Sequence, residues 1–341
     1  MGGVTVRLRR RDRRHKRLLL LFLLTCLVGG AGWCAGWYYS SILLRPVGAI
    51  EYADHVTTAG LPDDPAGAGL EWRTVRVSTP LGECPAWLVP ASGSVSSPRS
   101  SAGLDEHCSP VSSGRGADGA AWVIAVHGRG VDRRECLRVL PTLHRLGHPV
   151  LAISYRNDVG APASPDGHYH LGDTEWLDLA AAAEYARRNG ASELVLYGWS
   201  MGAAIVATYL NRAPSAFPAW ARDVAAVRAV VWDSPLLDWR ATLRLQAAQR
   251  RLPPVLTRLA TLVTRWRIGI DFDSFDVLRR PPTVRPPTLV FHGDADTAVP
   301  VAPTRALAGA AERLGWPLRY VEVAGAEHTA AWNVDPAGYE A

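Results

Sequence analysis

The chain has 341 residues, 48% of them hydrophobic and 20% charged, with a formal net charge of +5. That composition is globular and excludes wholesale disorder, a collagen-like repeat and a disulfide-dense miniprotein. The positive excess sits before Leu18, where Arg7, Arg9, Arg10, Arg11, Arg13, Arg14, Lys16 and Arg17 oppose Asp12, so it marks no nucleic-acid face on the remainder.

Residues 1–17 read as a basic cytoplasmic tail. From Leu18 to Leu44 no side chain is charged, a run longer than the roughly 20 apolar residues that span a bilayer. Trp33, Trp37, Tyr38 and Tyr39 stand where an aromatic belt meets the far interface. The positive-inside rule then predicts a single-pass transmembrane anchor over 18–44, with the N-terminus cytoplasmic and everything after Arg45 extracytoplasmic. A cleaved signal peptide, with Leu18–Val28 as its apolar core, is the competing reading and gives a secreted domain. Both export the domain and make disulfides permissible. Of the five cysteines, Cys26 and Cys34 lie in the apolar run. A Cys84–Cys108 bridge is expected because both sit in or beside one long connection; Cys84, Cys108 and Cys136 all unpaired is the alternative.

Residues 45–70 read as a stalk, and 71–341 have the size of one large α/β domain. Trp72–Ser78 and Ala86–Val89 form paired strands around a turn at Pro80–Gly82. The Ser/Gly/Pro-rich segment 91–119 cannot bury a core and reads as a flexible surface loop. Then strand and helix patterns alternate: strand Ala121–Val126, helix Arg133–Leu146, strand Pro149–Ser154, helix Thr174–Asn189, strand Glu193–Tyr197 and helix Met201–Asn211. The second helix is expected to start at an Asp173 N-cap and stop at Gly190. Strands Arg228–Trp232, Thr288–Phe291 and Leu318–Val323 follow. The Arg- and Leu-rich stretch 236–285, interrupted by Pro253–Pro254, is too long for a connection and reads as a helical lid. The alternation predicts an α/β fold with a mostly parallel central sheet flanked by helices.

Leu194–Tyr197 runs into Gly198-Trp199-Ser200-Met201-Gly202, a G-x-S-x-G between a strand and a helix. This nucleophile elbow lifts the serine hydroxyl off the sheet edge toward the positive end of a helix dipole. A hydroxyl needs a base to take its proton, and the base needs a carboxylate to fix its tautomer. Downstream, His292-Gly293-Asp294-Ala295-Asp296 and Gly325-Ala326-Glu327-His328 supply both on loops after strands, where such sheets hold their ligands. Trp122–Val126 followed by His127-Gly128-Arg129 offers a backbone N–H for an oxyanion, and Met201 offers a second.

These motifs, in this order and spacing, resemble the α/β-hydrolase superfamily over Trp72–Trp332, closest to membrane-anchored serine hydrolases related to lipases, thioesterases and prolyl-peptidase-like enzymes. The resemblance implies Ser200 as nucleophile, His328 as base and Asp296 as acid, with Arg129 and Met201 N–H groups as the oxyanion hole. Asp294 and Asp233 are the alternative acids. It implies an acyl-enzyme that cleaves a carboxylic ester, thioester or amide, small-molecule or lipid-like, with no metal or organic cofactor and no nucleic-acid partner. An acyltransferase with the same triad, and a binding domain that kept only the fold, are the rival functions. The superfamily usually closes its sheet with a longer final helix than the residues after His328 allow.

Other polar residues have plainer expectations. His127 orients the oxyanion loop, and His292 packs at a strand end. His168 and His170 flank Tyr169 without a visible third metal ligand. Trp199 is placed to line an acyl pocket, and the Arg129 side chain to meet an anionic group or solvent.

Overall fold

The computed structural model describes residues 3–46, 60–93 and 121–341. The side chains of the basic tail, part of the stalk and most of the Ser/Gly/Pro loop, including Cys108, lie outside the described residues. Eight strands form one sheet: β1 (Arg73–Thr79), β2 (Gly82–Val89), β3 (Ala121–Val126), β4 (Val150–Ile153), β5 (Glu193–Trp199), β6 (Val227–Asp233), β7 (Thr288–Gly293) and β8 (Leu318–Val323). Their order is β1-β2-β4-β3-β5-β6-β7-β8. β2 runs antiparallel to β1 and β4, and the other neighbours are parallel.

The central strands are continuous apolar runs because helices cover both faces. Alternation divides their side chains between two cores: Trp122, Ile124 and Val126 enter one, Val123 and Ala125 the other. Four helices are introduced by the βαβ units: α2 (Leu140–Arg145), α3 (Trp176–Arg188), α4 (Met201–Ala216) and α5 (Pro218–Ala225). The 236–285 segment folds into α6 (Trp239–Gln249), α7 (Pro254–Ile268) and a turn of 3-10 helix at Phe272–Phe275. A helix that the sequence reading passed over, α8 (Ala302–Ala310), joins β7 to β8.

Three local expectations are corrected. The helix expected over Arg133–Leu146 is a 3-10 turn, Arg133–Arg138, followed by α2, because Pro141 has no N–H to continue a ladder through it. Asp173 does not cap α3. The buried Glu175 carboxylate takes the N–H groups of His170 and Gly172 at 2.7 and 2.9 Å, while Asp173 accepts from Arg212 at 2.6 Å. Against the expected Cys84–Cys108 bridge, Cys84 is a free, buried thiol on β2.

The N-terminal helix α1 spans Gly3–Leu44. Among the described residues no helix is long and apolar enough to cross a membrane; the side chains of 18–21, 23 and 24 lie outside them. The last turns of α1 pack on α7. A Cβ at Gly36 would sit 3.1 Å from the Leu259 carbonyl oxygen, so the two backbones meet where α1 is smallest. Residues 60–70, read as stalk, lie against the domain, with Leu61 and Leu70 on the second core.

After His328 the chain closes the sheet with two short pieces, α9 (Ala331–Val334) and α10 (Pro336–Glu340). Tyr339 does the work of a longer helix. Its ring stacks on Phe291 at 4.0 Å, and its hydroxyl donates to the buried Asp233 carboxylate at 2.9 Å while meeting the Tyr197 hydroxyl. Tyr339→Phe should therefore lower the unfolding free energy by about 1–3 kcal/mol, the cost of leaving a buried acceptor short of a donor. Urea denaturation checks this, and an unchanged midpoint would remove the anchoring role.

Candidate active site

Ser200 follows β5 and starts α4 with φ 50° and ψ −116°, a backbone that L-residues hold only under constraint. The constraint is close approach. A Cβ at Gly202 would lie 2.1 Å from the Val126 carbonyl oxygen at the end of β3, and one at Gly198 would lie 2.7 Å from the Ala203 nitrogen. Only glycines let α4 descend onto the strand ends, and that descent turns Ser200 up at the carboxyl edge of the sheet.

His328, on the loop after β8, places Nε2 2.9 Å from Ser200 Oγ and Nδ1 2.7 Å from Asp296 Oδ2. Asp296, on the loop after β7, is fully buried. Its Oδ1 accepts the N–H groups of Ala298 and Val299, each at 2.8 Å, so the carboxylate cannot turn away. His292 Nε2 lies 3.2 Å from Oδ2, and His292 Nδ1 meets Thr304 Oγ1 at 2.8 Å. Burial alone would raise the Asp296 pKa; the charge of His328 and these hydrogen bonds outweigh it and hold the carboxyl well below its usual range. Burial pulls the His328 pKa down, and the Asp296 charge overcomes that and raises it above 6.5.

The other two carboxylates are committed elsewhere. Asp294 accepts the Gly325 N–H at 2.6 Å and ties the β7 and β8 loops together. Asp233 is held by Ser234 at 3.0 Å and by Tyr339, and burial raises its pKa. Neither contacts His328. Asp233 still serves the site, since its carbonyl oxygen accepts the Ser200 N–H at 3.0 Å.

The loop after β3 is fixed by partners that local sequence pattern did not reveal. The Gly128 carbonyl oxygen accepts from His127 Nδ1 at 2.8 Å and from the Tyr155 hydroxyl at 2.9 Å. In a trans peptide the next N–H points the opposite way, so both donors set the direction of the Arg129 N–H. His127 Nε2 meets Asp158 at 2.9 Å, leaving both ring nitrogens against acceptors. Burial opposes a charged ring here, but Asp158 outweighs it, and the His127 pKa is raised. On the other side, the Gly128 N–H donates to the buried Glu135 carboxylate at 2.7 Å. Arg138, also buried, donates to the Thr329 carbonyl and, at 2.9 Å, to Asn333, bridging the loop of Glu135 to the residue after His328.

Several side chains differ from expectation. The half-buried Arg129 guanidinium is held by backbone: one nitrogen, Nη2, donates to the Ile42, Leu43 and Arg45 carbonyls at 3.1, 3.1 and 3.2 Å, capping the end of α1. Trp199 is buried and stacked on Tyr197 at 4.2 Å in the second core. His170 pairs with Asp166 at 3.0 Å and His168 with Arg267 at 3.1 Å, so the two imidazoles serve different partners. Among the described residues no cluster of His, Cys, Asp and Glu could hold a metal ion.

The sequence model of the prolyl oligopeptidase family, Peptidase_S9, matches residues 157–337. The chain is similar in structure to an esterase of Pyrococcus furiosus at 19% identity, TM-score 0.57, covering 82% of this chain and 92% of that one. It is also similar to the esterase Est2 of Thermogutta terrifontis at 17% identity, TM-score 0.54, covering 80% and 88%. A form of esterase 2 from the same organism, phosphoramylated by tabun, aligns at 16% identity, TM-score 0.52, over 76% and 85%. These likenesses concern the fold. No curated protein sequence matches the chain significantly.

Arg138→Met leaves Glu135 without its neighbouring charge and the Thr329 carbonyl without a donor. It should cost about 3–5 kcal/mol of stability, as loss of one buried partner does. Equilibrium unfolding measures it; a change within about 0.5 kcal/mol would mark the pair as dispensable.

Proposed function

The chain belongs to the prolyl oligopeptidase family, within the α/β-hydrolase superfamily, and is a serine hydrolase; we propose that it cleaves a carboxylic ester, thioester or amide through an acyl-enzyme on Ser200. The observation that carries this is the unbroken hydrogen-bond chain from Ser200 Oγ through His328 to Asp296, at 2.9 and 2.7 Å. His328 Nε2 takes the hydroxyl proton as Oγ attacks the carbonyl carbon. The oxyanion falls to the N–H groups of Arg129 and Met201, and one such donor is worth on the order of 3 kcal/mol in the barrier. His328 then gives its proton to the leaving group. Water, deprotonated by the same nitrogen, releases the acyl group and restores Ser200.

Asp296 fits the acid's role because its pKa stays low. It remains a carboxylate throughout, so it can accept from His328 Nδ1, present Nε2 unprotonated to Ser200, and stabilise the imidazolium in between. The esterase folds similar to this one, and the organophosphorus adduct on one of them, favour ester substrates and a serine open to phosphorus reagents.

The same reading places the enzyme at a membrane. The uncharged run Leu18–Leu44 within the continuous helix α1, behind a basic tail, supports a single-pass anchor with the hydrolase domain outside the cytoplasm. An enzyme tethered in this way meets lipid-like acyl substrates before polar ones.

A fluorophosphonate should label Ser200, and the adduct should vanish in His328→Ala; peptide mapping that finds the adduct on another serine would overturn the assignment. Ser200→Ala should lower kcat by about 10⁴-fold or more while leaving the melting temperature nearly unchanged. The pH profile gives a second test. His328 must be neutral to act, and its pKa is raised, so the acid limb of kcat/KM lies above pH 6.5 and activity falls as pH drops through it. Asp296→Asn removes the cause of the rise: the limb should move to lower pH and kcat fall about 10⁴-fold. The same limb in both proteins would assign the ionisation to another group.

A further inference from the structure

α7 lies along α1 with the two chains running in the same sense. Leu259 packs where a Cβ at Gly32 or Gly36 would stand, Thr264 Oγ1 donates to Ser40 Oγ at 2.9 Å, and Arg267 reaches Ser41 Oγ at 2.9 Å. The flank of α7 beside this seam is open. Val255, Leu262 and Trp266 are 55%, 55% and 66% exposed, and their spacing of seven and four puts them on one helical face. The Trp266 ring meets those of Trp33 and Trp37 at 5.7 and 6.0 Å, so this face continues into the exposed side of α1. Charge on the segment has one sign. No acidic residue occurs from Trp239 to Ile270, and Arg250, Arg251, Arg258 and Arg265 are exposed around the apolar stripe.

Length supplies the second argument. Between Arg17, the last charge of the tail, and Gly32, the first residue of α1 seated against α7, the helix rises roughly 22 Å. The hydrocarbon of a bilayer is about 30 Å thick. A helix with Arg17 held at the cytoplasmic boundary is therefore still within lipid at Gly32. Leu259 shares that level, and Val255 lies one turn deeper.

We propose that α7, with the exposed side of α1, is a membrane-binding surface that sits in the outer leaflet of an anionic phospholipid bilayer. Val255 and Leu262 enter the acyl region, Trp266 stands with Trp33 and Trp37 toward the outer interface, and Arg258 and Arg265 extend their stems toward lipid phosphates. The proposal rests on the reading that α1 crosses the membrane. At the end of α6, Gln246 and Gln249 donate to the Ala298 and Thr297 carbonyls at 3.2 and 2.7 Å, on the loop that holds Asp296. The lid thus abuts the loop that holds Asp296.

The test uses the full chain in liposomes of phosphatidylcholine, with and without phosphatidylglycerol, after Cys26, Cys34 and Cys108 are replaced by Ser. Single cysteines at Val255, Leu262, Phe22 on α1 and Phe217 as an exposed control carry an environment-sensitive dye. Blue-shifted emission and quenching by a lipid-borne quencher are expected at Val255, Leu262 and Phe22 and not at Phe217. Lipid contact at Phe22 alone overturns the α7 surface and leaves the anchor standing. Contact at Val255 and Leu262 alone upholds the surface and removes the anchor; contact at none removes both. As a functional readout, Arg258→Glu with Arg265→Glu should slow turnover of an ester carried in phosphatidylglycerol vesicles about tenfold and leave a soluble short-chain ester unchanged. Equal rates on the vesicle ester would count against the surface.

Discussion

The site depends on how near α4 can come to the end of β3. Gly202 and Gly198 remove the two Cβ atoms that would keep helix and strand apart, and the backbone at Ser200 absorbs the resulting bend at a positive φ. Strain of this kind costs of order 1–3 kcal/mol and persists only where packing over-determines it. Here the packing is the buried face of α4, from Met201 through Leu210, set into the larger core. Apolar burial at a distance thus holds Ser200 in a conformation it would not choose.

A second layer lies beneath the reacting groups and is ionic. Glu135, Arg138, Asp158 and His127 are buried or nearly so: Glu135 and His127 bond backbone atoms of Gly128, Arg138 donates to the Thr329 carbonyl, and Asp158 holds the His127 ring. Buried charge is a poor source of stability and a good source of orientation, since a satisfied network leaves its peptide groups one direction to point. The arrangement gives the loop of Arg129 little freedom to rearrange, and fixed donors are what electrostatic preorganisation requires.

Much of this was legible in the sequence. β3 and β8 were read with the bounds they have, and the G-x-S-x-G between a strand and a helix fixed the position of Ser200. Asp296 and His328 were legible because each stands a few residues past a strand end, a local signal. Arg138, Glu135 and Tyr155 were not, because their importance comes from contacts made in space, and nothing in a six-residue window distinguishes a buried arginine from a solvated one. Strand alternation puts Trp199 on the same face as Tyr197, and it packs there in the second core, a parity readable from the sequence. The break of the Arg133–Leu146 helix was also readable in Pro141, whose missing N–H counts for more than the apolar periodicity around it.

Arg129 joins two parts of the molecule that are easily thought of as separable. Its peptide belongs to the loop after β3 at the candidate site, while its guanidinium closes the carbonyl end of α1. The N-terminal helix is thereby a component of the enzyme and not a leash attached to it. A lineage that exchanged α1 for a lipid modification, or shed it to release the domain, would take the Ile42 and Leu43 carbonyls from Arg129 and uncover the core against which Leu43 and Leu44 pack. Such a change would have to be accompanied by substitution at Arg129 itself, so the identity of this one residue should track the presence of the helix among relatives that differ in how they are attached.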